Sequence, residues 1–354
     1  MMLRRGSEWR LHLKSYHGWR GPFSEQNLDP LFKAALQFSV ILTNLTSVRV
    51  VIRNQSAATL ALLEACSALQ ALEKLQVEEQ TQTLMGYPIS PRAAPDCPWH
   101  RWKVALPPTL RTAIVTGNVF NAQTQFSMVA PVLCHLPSSI QHLSVVFGYL
   151  GLLPPDFRLT RWNLKSLSVG GGHWVQQSEV ILDVLRASTD ALDALIVESE
   201  TVLAALDTMF NQYPGLFMRL RTLTVAPFSV YSFSPFSEGS GQATADARTL
   251  FARCSGIHTL IVQHRTTARN ELWSSGCDIP EDTRVQSMLR LVLQNLEQAA
   301  IPTLRVLKLN LPETLTSAAK ELVQDIAHAC SSRRIEMAYG PVRALVHGLY
   351  WTDW

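Results

Sequence analysis

The chain has 354 residues, 47% of them hydrophobic and 17% charged, which is ample apolar material for a sizeable core. Thirty-one Lys and Arg against 28 Asp and Glu leave a formal charge of +3, so no general attraction to nucleic acid or an anionic membrane is expected. The opening MMLRRGSEWRLHLKS has basic residues with no apolar run behind them, and no stretch is long and apolar enough to span a bilayer. Neither a secretory signal nor a membrane helix is expected, and six cysteines in such a chain point to a reducing compartment, cytoplasm or nucleus.

Residues 1–44 hold Trp9, Trp19, Phe23, Phe32 and Phe38 and are too aromatic for a disordered tail. A short helix is expected near Asp29-Pro30, and the whole region reads as an N-terminal cap. From residue 45 a short phrase begins to return: apolar, two positions, apolar, one position, apolar. It reads Leu45/Val48/Val50, Leu72/Leu75/Val77, Leu110/Ala113/Val115, Ile140/Leu143/Val145 and Leu164/Leu167/Val169. It continues as Leu192/Leu195/Val197, Leu220/Leu223/Val225, Ile257/Leu260/Val262 and Leu304/Leu307/Leu309. The second and third positions lie two apart, so each phrase predicts a strand with one apolar face. One such strand cannot bury that face alone, and stacking the copies does.

Between the phrases, apolar residues recur at helical spacing. Helices are expected over Thr59–Leu69, Phe126–Leu136, Glu179–Ala187, Val202–Phe210, Ala245–Ala252, Val285–Leu296 and Ser317–Ala329. Ser178, Thr201 and Thr244 are placed to cap three of them. Strand and helix alternate, which predicts an α/β fold with a parallel sheet. Insertions follow several strands. Residues 80–108 are rich in proline and carry Trp99 and Trp102; Tyr149 and Trp162 follow the fourth phrase, and His173 and Trp174 the fifth. Residues 226–243 carry Phe228 and Tyr231, and residues 264–283 carry Trp273. Loops at one stage of a repeat line one rim, so these rings are expected to gather there as binding anchors. A last strand is expected over Arg334–Tyr339, with 341–354 as a C-terminal cap.

The phrase is the L-x-x-L-x-L signature of a leucine-rich repeat. Steps from 24 residues (Ile140 to Leu164) to 47 (Ile257 to Leu304) match that period with added loops. Cys254 opens C-x-x-I-x-x-L-x-V, Cys66 lies one unit ahead of its phrase, and Cys134 and Cys330 also precede strands. This resembles the cysteine-containing, ribonuclease-inhibitor-like repeats of fungal F-box/leucine-rich-repeat proteins. The resemblance covers about residues 45–340. It implies a curved solenoid, an inner parallel sheet with outer helices, and a non-enzymatic protein-binding role as the substrate-recognition part of an SCF-type ubiquitin ligase. Residues 1–44 lack the Leu-Pro opening of an F-box, so a Skp-type adaptor is implied only where an F-box lies upstream. The alternatives are a free-standing scaffold unrelated to ubiquitin transfer, or an enzyme with an unrecognised site.

The face opposite the core phrase is small and hydroxyl-rich in its middle. Its charges are Arg49, Lys74, Glu78, His142, Glu198 and Lys308. It lacks the Lys/Arg stripe of a phosphate-tracking groove and suits a protein partner of unknown identity. Gly170-Gly171-Gly172 follows a strand but lacks both phosphate-loop patterns. No C-x-x-C, H-x-x-x-H or G-x-S-x-G occurs, so no metal, cofactor or catalytic group is expected. The cysteines read as small buried residues at helix ends.

Overall fold

A computed structural model describes residues 2–5, 8–14, 45–52, 66–79, 105–116, 132–133, 135–146, 162–170, 185–188, 190–197, 219–225, 256–263, 281–298 and 301–341. The chain divides into two compact units, Met1–Leu164 and Lys165–Trp354. The division falls inside the stretch that reads as one run of repeats.

The first unit holds β1 (Met2–Arg5), β2 (Glu8–Lys14), β3 (Ser47–Ile52), β4 (Lys74–Glu79), β5 (Thr112–Thr116) and β6 (His142–Val146). β1 pairs antiparallel with β2, and β2 to β6 run parallel in chain order. The second unit holds β7 (Ser166–Gly170), β8 (Ala194–Val197), β9 (Thr222–Val225), β10 (Thr259–Gln263), helix α1 (Glu281–Glu297), β11 (Val306–Leu311), helix α2 (Ser317–Ser332) and β12 (Glu336–Pro341). Its six strands are all parallel and also follow chain order. The parallel α/β architecture expected from the phrases is therefore present in each unit.

All nine phrase strands begin one residue before the phrase's second apolar position. Pairing then keeps like with like: Val48, Leu75, Ala113 and Leu143 share one register row, and Leu167, Leu195, Leu223, Leu260 and Leu307 another. These residues are buried, as are the first apolar positions from Leu45 to Leu304. Each fully buried leucine contributes about 1.5–3 kcal/mol of transfer free energy, which makes this row the main source of cohesion.

Two backbone devices repeat with the phrase. A tight turn precedes it: the N–H groups of Leu72, Leu110, Ile140 and Leu304 donate to the carbonyls of Leu69, Pro107, Pro137 and Ile301. The carbonyl one residue after the first apolar position then accepts two N–H groups from the next repeat. Thr46 O takes Glu73 and Lys74 at 2.8 and 2.9 Å, and Arg221 O takes His258 and Thr259, both at 2.9 Å. The same pairing recurs at Glu73, Arg111, Lys165, Asp193 and His258. Within each unit, a repeat is thus positioned by the one before it.

The helical segments follow their expected places where they are described. Residues 66–67, 132–133, 135 and 185–188 are helical and fall within or at the ends of three expected helices. α1 starts one turn earlier than the apolar spacing suggests, and α2 runs three residues further. Ala319, Val323, Ile326 and Cys330 form the buried stripe of α2, and Thr316 Oγ1 caps it by accepting the Ala319 N–H at 3.4 Å. Its end is a Schellman turn: Ile335 N–H reaches Cys330 O at 2.9 Å, and Arg334 N–H reaches Ser331 O at 3.1 Å. Arg334 takes the left-handed conformation, φ 57°. The expected helices Val202–Phe210 and Ala245–Ala252, and the cap residues Ser178, Thr201 and Thr244, lie outside the described residues.

β2 is a further parallel strand, outside the nine phrases. Leu11 and Leu13 share register with Val48 and Val50. The alternation Leu11-His12-Leu13 was visible, but the polar Glu8 occupies the place of the first apolar residue.

Candidate functional site

In the first unit, register brings three of the candidate charges onto one sheet face. Ser47, Lys74, Thr112 and His142 form one row, and Arg49, Gln76, Ile114 and Ser144 the next. Lys74 and His142 are two strands apart, about 10 Å. Arg49 and Lys74 are diagonal neighbours on adjacent strands, about 7–8 Å apart by general sheet geometry. Glu78 shares register with Val51 and Thr116, but its side chain lies outside the described residues. Lys308 belongs to the second unit, exposed on β11, and Glu198 is outside the described residues.

This face is not uniformly open. Ser47, Arg49, Lys74, Thr112 and His142 are half-buried, whereas Gln76, Ile114, Thr116 and Ser144 are buried. Thr116 Oγ1 has no hydrogen-bond partner among the described residues. In the second unit the same face is buried over Ser166, Ser168, Ala194, Ile196 and Thr224 and opens at Lys308, Glu336 and Ala338. The small hydroxyl-rich middle thus belongs to the interior of each unit, and solvent reaches the second unit's face mainly at β11 and β12. Serine and threonine suit such a place because a short hydroxyl is cheaper to bury than a longer polar chain.

The aromatic rim candidates Trp99, Trp102, Tyr149, His173, Trp174, Phe228, Tyr231 and Trp273 all lie outside the described residues. Trp162, expected beside them on the rim from its position after a strand, is instead buried. It is 1% exposed, and its indole N–H donates to Pro137 O at 3.1 Å. The ring fills the first unit's core instead of presenting a binding surface, and its one polar atom is satisfied by a turn carbonyl.

One exposed row went unread in the sequence. The residue after the first apolar position is polar in every phrase: Thr46, Glu73, Arg111, Gln141, Lys165, Asp193, Arg221, His258 and Arg305. In the second unit Lys165, Asp193, Arg221, His258 and Arg305 are all exposed at the leading ends of the parallel strands. Arg221 Nε lies 3.9 Å from Asp193 Oδ1, an exposed pair that stabilises little and leaves the row available to a partner. The unbroken polarity of that position was the signal.

The two described cysteines are buried at helix ends. Burial pushes the Cys66 thiol up to about 12. It raises Cys330 as well, against the opposing charge of Arg333. Thiols held neutral in this way are poor nucleophiles. Among the described residues no three His, Cys, Asp or Glu side chains converge as a metal site, and no helix is long and apolar enough to cross a membrane.

No family model and no curated protein matches this chain. Its reading rests on its own residues.

Proposed function

We propose that this chain is a non-enzymatic leucine-rich-repeat module that binds a protein partner. The observation that carries the reading is repetition: nine phrases form parallel strands, and each unit has a buried row and a polar leading row. Such an array holds side chains at fixed spacing of about 4.8 Å along an edge, which suits recognition of an extended surface better than chemistry at a point. The polar leading row and the inserted loops are the surfaces offered. The buried middle of the second face is not.

Affinity capture with the full chain tests this. One triple variant, Lys165→Glu/Arg221→Glu/Arg305→Glu, changes the leading row, and another, Trp99→Ala/Trp102→Ala/Trp174→Ala, changes the loops. A partner retained by the native chain should be lost by at least one of them. A partner set unchanged by both would refute the reading.

A second reading is the recognition part of an SCF-type ubiquitin ligase. Buried Cys66 and Cys330 at helix ends favour it, since they fit the cysteine-containing repeat that the sequence resembles. Capture of a Skp-type adaptor by the natural full-length product would support it, and capture of a partner with no such adaptor would leave the free-standing scaffold.

A further inference from the structure

Among the described residues, the second unit's sheet ends at β12. β12 pairs with β11 on one side, and no strand pairs with its other side among the described residues. Glu336 N–H donates to Arg305 O at 2.8 Å, so Glu336 directs its backbone groups at β11. Along a strand these groups alternate sides, so Ala338 and Gly340 do the same, and Met337 and Tyr339 turn theirs to the free edge. Tyr339 is also 64% exposed, although it shares register with fully buried Leu309. Natural edges are usually guarded by charge or proline. Here Glu336 and Pro341 stand only at the two ends, and the centre is Met337-Ala338-Tyr339-Gly340.

We propose that β12 pairs antiparallel with β12 of a second copy of this chain, about a twofold axis at Ala338. The register is self-complementary. Ala338 faces Ala338 of the other copy, Met337 faces Tyr339, and Glu336 faces Gly340. Met337 and Tyr339 carry the outward backbone groups, so each Met–Tyr pair exchanges two N–H···O bonds, and every outward group of both residues is satisfied. The methionine sulfur meets an aromatic ring, a favourable contact. No like charges oppose one another. A Cβ built at Gly340 would meet nothing within 4 Å, so Glu336 of the other copy has room. This pairing is independent of the function proposed above.

An edge contact of this size lies at the low end of protein interfaces, so association should be weak and should grow with concentration. Sedimentation equilibrium on the full chain, from micromolar to submillimolar, should show monomer passing to dimer. Tyr339→Lys, at an exposed position, should weaken association by about tenfold or more through charge on the edge. Ala338→Cys should form a disulfide dimer under mild oxidation, whereas Gln324→Cys on the exposed face of α2 and the native chain should not. A monomer at every concentration overturns the proposal. So does a dimer that Tyr339→Lys leaves intact and Ala338→Cys fails to cross-link, since that dimer uses another surface.

Discussion

Thr303 Oγ1 donates to Ile257 O at 2.8 Å, joining residues 46 apart in the chain. Thr303 stands immediately before the ninth phrase, and Ile257 opens the eighth. The same relationship joins Ser139 to Leu110 O at 2.8 Å. Thr109 repeats it with Leu72 O at 2.9 Å, sharing its proton with Gln70 O at the same distance. A hydroxyl before one phrase thus locks onto the first apolar residue of the phrase before it. Thr303→Val keeps the shape and deletes the donor. It should cost about 1 kcal/mol in urea denaturation, and Ser139→Ala about as much.

Trp162 makes a sharper test of the first unit's core. Trp162→Phe removes the bond to Pro137 O and leaves a gap where the larger ring was. A loss of about 2–3 kcal/mol is expected from the cavity together with the lost indole hydrogen bond, while Pro137 O keeps the Ile140 N–H. A variant as stable as the native chain would place the indole outside the core.

Asn295 is a polar residue in an apolar setting. Its Nδ2 donates to Leu291 O at 2.8 Å, and its buried Oδ1 has no partner among the described residues. It borders a cavity of about 10 Å³ with Leu260, Val292, Leu296, Ile301, Leu304 and Arg333. Asn295→Leu removes the orphan acceptor and adds apolar contact, so a gain of about 1 kcal/mol is expected. A destabilised variant would show that Oδ1 is satisfied in solution.

Arg334 occupies the left-handed position that ends α2, with φ 57°. A non-glycine residue costs about 1–2 kcal/mol there, and glycine's greater freedom in the unfolded chain offsets part of the gain. Arg334→Gly should raise stability by about 0.5–1 kcal/mol, while Arg334→Ala should change it little. Thermal and urea unfolding would separate the two.

Cys66 gives a pH test. Its thiol rises from 9.0 to about 12 on burial. Between these values the unfolded chain loses the proton that the folded chain keeps, so this contribution is intact below pH 9 and lost as pH climbs toward 12. Cys66→Ala should flatten that part of the stability profile. At pH 8 a thiol reagent should modify Cys66 only at the rate of unfolding.

The core row, the strand starts and the order of the parallel strands were legible in the sequence because they are local and repeated. Two apolar residues two apart define a strand face wherever the phrase occurs, and a copy one repeat away supplies its neighbour. β2 escaped because Glu8 breaks the phrase, although Leu11 and Leu13 keep its period. Trp162 misled for the opposite reason: its place after a strand put it with the loops, and only the approach of Pro137 O shows that the ring turns inward.

Residue order alone shows which side of each strand is core and where each repeat begins, since side-chain alternation follows directly from it. Tertiary structure decided what the other side meets. Gln76, Ile114, Ser144, Ser168 and Thr224 are buried on a face that a lone strand would leave to solvent, while Lys308 and Ala338 stay open on it. Burial of that second face depends on what packs over it, and β12 is open because no strand among the described residues pairs beyond it. Alternation within one strand carries neither fact.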